Sequence, residues 1–319
     1  MGSSDLDRRA FLKQVAAWSA GAALMAPVFA LPSFLRAEAG TEAAAAAAGG
    51  AMPVVVVAKG KDYAALVAAA IAKIGGIEQF VKPGNKVVVK PNIGWDRKPE
   101  QAATTHPEVV ASIVKLCLDA KAGSVQVFDR SCNDPRRCYS NSGIQAAVEA
   151  LNDARATCPH VEDRKFIPVK IERGKSVTEW NLYKDAVEAD CYINVPIAKH
   201  HGLSKLTLGM KNVMGVCGGD RGKIHQEIAQ KLADLNSVIR PKLTIIDATR
   251  ILLANGPQGG NMADVKVLDT IIVSTDPVAA DAYATTLFGM KPEQIASTVA
   301  AFEMGLGEMD LKKIRIIEV

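Results

Sequence analysis

Lys199, His201 and Lys211 fall within one short stretch of the chain, Asn194-Val195-Pro196-Ile197-Ala198-Lys199-His200-His201, continuing through Thr207-Leu208-Gly209-Met210-Lys211-Asn212 to Gly215. Lys199 and Lys211 are two point cations separated by a glycine-containing turn, and Asn212 is a neutral hydrogen-bond donor beside them. Such a set neutralises a phosphate or a dicarboxylate. With His201 it holds the groups for acid–base or electrostatic catalysis on a small anion. His200, His201 and His225 are three of only five histidines. With Asp129, Asp247 or Asp276 they offer the nitrogen and oxygen donors that a divalent metal takes. The plainer alternative makes His200 a surface residue and His225 the start of a helix.

These groups need a scaffold, and the sequence predicts one. Val54-Val55-Val56-Val57 is a β-branched run of the kind covered on both faces of a sheet. Strands are expected at Lys86–Lys90, Ser124–Asp129, Lys165–Ile171, Cys191–Val195, Leu243–Asp247, Thr270–Ser274 and Lys313–Glu318. Helical periodicity separates most of them, at Tyr63–Ile74, Pro107–Lys121, Gly143–Leu151, His225–Ile239 and Val278–Phe288. Strands alternating with helices predict an α/β fold, a largely parallel sheet with helices on both faces. In such sheets ligands collect at the carboxyl ends of strands. Polar residues recur there: Lys90-Pro91-Asn92, Asp129-Arg130-Ser131, Lys199-His200-His201, Asp247 and Thr275-Asp276. Lys90, Asn92, Asp129, Asn212, Asn255 and Asp276 are therefore expected to line a ligand pocket. Any one of them taken singly is more readily a turn-former or cap; their coincidence at five strand ends is what points to a pocket.

The motif residues also carry a resemblance. An Asn-Val-Pro strand runs into Lys-x-His and then Thr-x-x-x-Lys-Asn-x-x-Gly, met here by Lys199, His201, Thr207, Lys211, Asn212 and Gly215. Lys90-Pro91-Asn92, Thr105 with Pro107, Asn255-Gly256-Pro257, and Asp276 with Asp281 extend the match over residues 53–318. The chain resembles the family called domain of unknown function 362. Many relatives carry an appended ferredoxin-type module with four-cysteine motifs, which implies a redox association. This sequence departs from that pattern, so a redox role would rest on a partner subunit. A fold-level analogy leads to lactate racemase-type proteins, in which a lysine and histidines hold a nickel-containing cofactor.

Composition bounds the function further. The net charge of +4 is small and spread along the chain, so no nucleic-acid partner is expected. None of the six cysteines forms a C-x-x-C pair, so no iron–sulfur cluster motif is present in this chain. Cys132 and Cys138 would close a small loop in an oxidising compartment, whereas Cys117 and Cys191 read as buried apolar residues. There is no glycine-rich dinucleotide or Walker-type motif and no nucleophile elbow.

Asp7-Arg8-Arg9-Ala10-Phe11-Leu12-Lys13 resembles a twin-arginine export signal. The Ala- and Gly-rich apolar run after it is interrupted by Pro27 and Pro32, which suits a removable signal better than a membrane helix. The expected organisation is a signal over residues 1–39, an Ala/Gly-rich spacer over 40–52 and one α/β domain over 53–319. Two functions fit: an exported, periplasmic protein binding a small anionic ligand or metal-containing cofactor, with or without catalysis, or a non-catalytic accessory subunit of a periplasmic redox complex. The twin-arginine translocase is the partner expected during export. Replacing Arg8 and Arg9 together by Lys is expected to leave the protein in the cytoplasm, as read by cell fractionation; unchanged periplasmic delivery would refute the signal.

Overall fold

The computed structural model describes residues 52–319; the twin-arginine segment and the spacer up to Ala51 lie outside the described residues. The first half contains β1 (Val54–Lys59), α1 (Tyr63–Ala72), β2 (Lys86–Pro91), α2 (Pro107–Asp119), β3 (Ser124–Val127), α3 (Pro135–Asn141), α4 (Ile144–Glu149) and β4 (Ala156–Thr157). Then follow β5 (Phe166–Lys170), β6 (Glu179–Tyr183), α5 (Lys184–Val187), β7 (Cys191–Val195), β8 (Ile197–His201), β9 (Lys205–Thr207) and α6 (Gly209–Asn212). The chain continues through α7 (Ile228–Asn236), β10 (Leu243–Leu252), β11 (Val265–Ser274), α8 (Pro277–Thr286), α9 (Ala296–Glu303) and β12 (Arg315–Glu318).

Local chemistry sets several of these boundaries. The Asp62 side chain accepts from the Ala65 amide and caps α1, and Asp276 accepts from Val278 and Ala279 and caps α8. Pro107 and Pro277 occupy first-turn positions, where a missing N–H leaves nothing unsatisfied.

The main sheet has the order β12-β1-β11-β10-β7-β2-β3-β4, with the β8–β9 hairpin branching from β10. Its pairs are parallel except that β11 runs antiparallel to both β1 and β10, and β9 antiparallel to β8. The fold is thus α/β with a largely parallel sheet. Alternate strand residues feed two cores. Val56, Val87, Val89, Val125 and Ile193 pack against α1, α2 and α4. Val55, Val57, Ile246 and Ile272 pack against α8, while Val88 and Tyr192 meet α7. This double coverage is why the strands read as continuous β-branched runs.

Differences from expectation have local causes. The strand expected at Lys165–Ile171 forms β5, but it pairs with β6 in a separate two-stranded antiparallel sheet. β10 and β11 are twice the expected length because they pair with each other beyond the body of the sheet. The helix expected from His225 begins only at Ile228; His225 ends a short 3-10 turn, Arg221–His225. Cys132 and Cys138 are unpaired, Cys132 exposed and Cys138 buried.

Candidate functional site

At the carboxyl edge of β2, Lys90 is almost completely buried, and its ammonium meets three oxygens: Pro91 O at 2.7 Å, Asn212 Oδ1 at 2.9 Å and Asp129 Oδ1 at 2.9 Å. Burial pushes the Lys90 pKa down and the Asp129 carboxylate opposes it. Three acceptors are what an ammonium can use. Asn212 in turn donates to Lys90 O and to Asn194 Oδ1, and Asn194 donates to Gly209 O. Asp129 Oδ2 accepts from the Ile93 amide at 2.6 Å. Asp281, on α8, accepts from the Gly209 and Met210 amides at 2.7 and 2.8 Å; burial raises its pKa to about 7. Lys90, Asp129 and Asn212, expected as ligand-binding residues, are thus engaged with one another. They form the brace that fixes residues 209–215 against the sheet. Asn194 and Asp281 complete it, and the signal for both lay in the motif segments themselves.

Lys199 and Lys211 are placed differently. Lys199 is 1% exposed, and its amine donates to Ala103 O at 2.5 Å and to Asn92 Oδ1 at 3.3 Å, both neutral acceptors. Lys211 is 8% exposed, and its one hydrogen-bond partner is the Met214 thioether at 3.1 Å. Neither is within ion-pair distance of a carboxylate among the described residues. Desolvation lowers Lys199 to about 7, with the Lys211 and Lys90 charges adding to the shift. Desolvation also lowers Lys211 to about 8, with help from Arg221. Arg221, at the start of the 3-10 turn, is a third cation here. It donates to the carbonyls of Arg130 and Ser131, and its guanidinium lies 3.9 Å from the exposed Cys132 sulfur.

Strand parity sorts the histidines. Successive strand residues face opposite sides, so in β8 Lys199 and His201 share a face and His200 takes the other. Thr207 pairs with Lys199 across the hairpin and lies on the Lys199 face, its buried hydroxyl without a partner. His201 Nδ1 accepts from the Leu203 and Ser204 amides at 3.1 and 3.3 Å. Its proton therefore resides on Nε2. Burial first, and then the charge of Lys211, hold the ring neutral with a pKa of about 3. His225 stacks on it with ring centroids 6.2 Å apart. A surface concavity of about 460 Å³, lined by Ser176, Glu227 and Gln230 among others, ends at His225. A larger one of about 520 Å³, lined by Asp96, Arg97, Lys98 and Arg137, contains none of these groups.

The expected metal set does not assemble. His200 points away from His201, and its Nδ1 accepts from the Gly256 amide at 3.1 Å. A neutral imidazole that binds a metal through Nε2 must carry its proton on Nδ1. In His200 and His201 that nitrogen faces an N–H donor instead. His225 Nδ1 faces the Gly222 carbonyl at 3.3 Å and keeps a free Nε2, but one nitrogen is not a site. Among the described residues no group of three metal-ligating side chains is found.

Two further expected ligand residues stand apart. Asn255 is exposed and donates to Asp264 at 2.8 Å, on the loop that packs against the His200 side. Asp276 follows β11, whose antiparallel course brings its end beside the start of β10, the opposite rim of the sheet. There Asp276 accepts from Val278, Ala279 and Glu308. Asn92 does reach the cluster, as an acceptor for Lys199.

Residues 87–286 match the family model described as Domain of unknown function (DUF362). The thylakoid-associated protein sll1697 of Synechocystis sp. (strain PCC 6803) is 28% identical over 248 residues, which cover 73% of this chain and 72% of that protein. Among solved structures, the lactate racemase apoprotein of Thermoanaerobacterium thermosaccharolyticum aligns with a TM-score of 0.48 and 11% identity, over 73% of this chain and 56% of its own. A protein of Thermotoga maritima aligns with a TM-score of 0.42 and 12% identity, over 72% and 60%. The chain therefore spans less than two thirds of either solved structure.

The brace predicts an intolerant glycine. A Cβ on Gly215 would collide with Asp129 Oδ1 and with the Lys90 amine. Gly215→Ala is expected to break the buried pair and to lower unfolding stability by about 3–5 kcal/mol in denaturant titration. Gly202→Ala, where a Cβ meets only Gly256 O at 4.0 Å, is expected to stay within about 0.5 kcal/mol.

Proposed function

The chain belongs to the DUF362 family, and from that premise we propose that it binds a small anionic ligand between Lys199, Lys211 and the Nε2–H of His201. The observation that carries this reading is the contrast among three buried lysines. Lys90 has a carboxylate, while Lys199 and Lys211 have none. A buried ion without a counter-charge costs several kcal/mol even after relaxation. An anion entering between the two amines would remove that cost and raise their pKa values toward the ordinary range. Lys211 is the anchor because its ammonium has no oxygen partner. Lys199 and His201 contribute a second donor and a neutral N–H, and the Thr207 hydroxyl is free to donate as well.

The reading fixes a pH dependence. An anion is held by the protonated amines, so affinity is full below about 7 and falls as pH rises through about 8, where Lys211 loses its proton. Calorimetric titration with phosphate, oxalate and a nucleotide tests this. Lys211→Met is expected to weaken the preferred anion about ten- to hundredfold, the equivalent of one charged hydrogen bond, with thermal stability unchanged or raised. No affinity of the unmodified protein for any of these anions between pH 6 and 7 would refute the site.

A further inference from the structure

Lys199 differs from its neighbours in the number of acceptors it meets. Lys90 has three oxygens and is complete as an ammonium. Lys199 has two, Ala103 O and Asn92 Oδ1. A neutral amine carries two N–H bonds and one lone pair. Two acceptors match the two N–H bonds of the neutral form of Lys199 and leave its lone pair in the remaining tetrahedral direction. The ammonium of Lys211 meets only the Met214 thioether among the described residues and no oxygen. A nucleophilic amine beside an anion-binding cation, in a desolvated site, is the arrangement that makes lysine reactive toward carbonyls.

We propose that Lys199 forms an imine with the carbonyl carbon of a small 2-oxo acid whose carboxylate is held by Lys211. This rests on the anion-binding reading above and adds the substrate class and the bond formed. In the step, the Nζ lone pair adds to the carbonyl carbon, and the carbonyl oxygen becomes a hydroxyl. The two protons of the amine leave with that oxygen as water, and a C=N bond remains. Amine and oxo acid thus give imine and water, with no oxidant or reductant required. His201 is placed for the addition: Nδ1 is fixed as an acceptor, so a neutral Nε2–H is available to polarise the carbonyl oxygen.

Reductive trapping tests the proposal on the purified protein. Glyoxylate or 2-oxobutyrate is added with cyanoborohydride, and peptide mass mapping locates the secondary amine that forms. The adduct is expected on Lys199 and absent from Lys199→Met and Lys199→Arg, the second variant keeping the charge in case the first fails to fold. Lys211→Met is expected to slow trapping at low oxo acid about ten- to hundredfold. The titratable groups whose charges act on Lys199 include Lys90, Asp129, Cys132 and Lys211, and His201 shares its strand face. With these in place, the rate should rise through about pH 7 as Lys199 becomes neutral and fall above about 8 as Lys211 discharges. Oxalate, which has the carboxylates but no ketone or aldehyde, separates the two claims. Oxalate binding with no adduct on Lys199, or equal labelling of surface lysines in all variants, overturns the imine and leaves the anion site standing. No oxalate binding at all removes both.

Discussion

The Lys90–Asp129 ion pair is the contact on which the rest of the site depends. It sits at the carboxyl edge of two parallel strands, almost completely out of water. Such a pair survives burial only when its remaining donors and acceptors are also met. Asn212, Pro91 and Ile93 meet them. Because Asn212 is one of those partners, the segment that carries Lys211 is tied to the sheet through the pair, and Gly215 is the residue that lets it approach. The geometry of a brace accounts for Lys90, Asp129, Asn194 and Asn212 at this edge.

The second consequence is electrostatic. Once Asp129 is committed to Lys90, no carboxylate among the described residues pairs with Lys199 or Lys211, and both amines fall toward neutrality by desolvation. Their folded pKa values lie below the unfolded value of about 10.4. Between those values the unfolded chain binds more protons, so stability of the ligand-free protein rises with pH across that window. At neutral pH the two lysines therefore lower stability unless an anion joins them. On the proposed reading, the site would be unfavourable when empty and relieved when filled, a trade between function and stability.

Much of this was legible in the residues. Valine runs and helical periodicity placed the main strands, and the end of β2 with the segments following β2, β3 and β7 did bring Lys90, Asn92, Asp129, Lys199 and His201 to one edge. Strand direction was not legible. β11 has the same β-branched pattern as the parallel strands of the sheet, and nothing in it signals that it runs antiparallel to β1 and β10, so Asp276 was assigned to the opposite rim. Which polar residues pair with one another was equally hidden, since Lys90 and Lys199 look alike in sequence and differ only in what surrounds them. Parity within β8 was hidden too, because the expected strand ended at Val195 and Ile197–His201 became a strand only in the structure. Adjacent strand residues cannot face one ion, and that alone separates His200 from His201.

The central claim is that Lys199 and Lys211 are buried amines without a counter-charge, waiting for an anion. Heteronuclear NMR of the lysine Cε and Nζ groups, assigned with Lys199→Met and Lys211→Met, reads their protonation directly. Two resonances titrating near about 7 and 8 in the free protein, and both moving upward on addition of oxalate, are the predicted result. Two lysines titrating near their ordinary value of about 10.4, indifferent to oxalate, would contradict it.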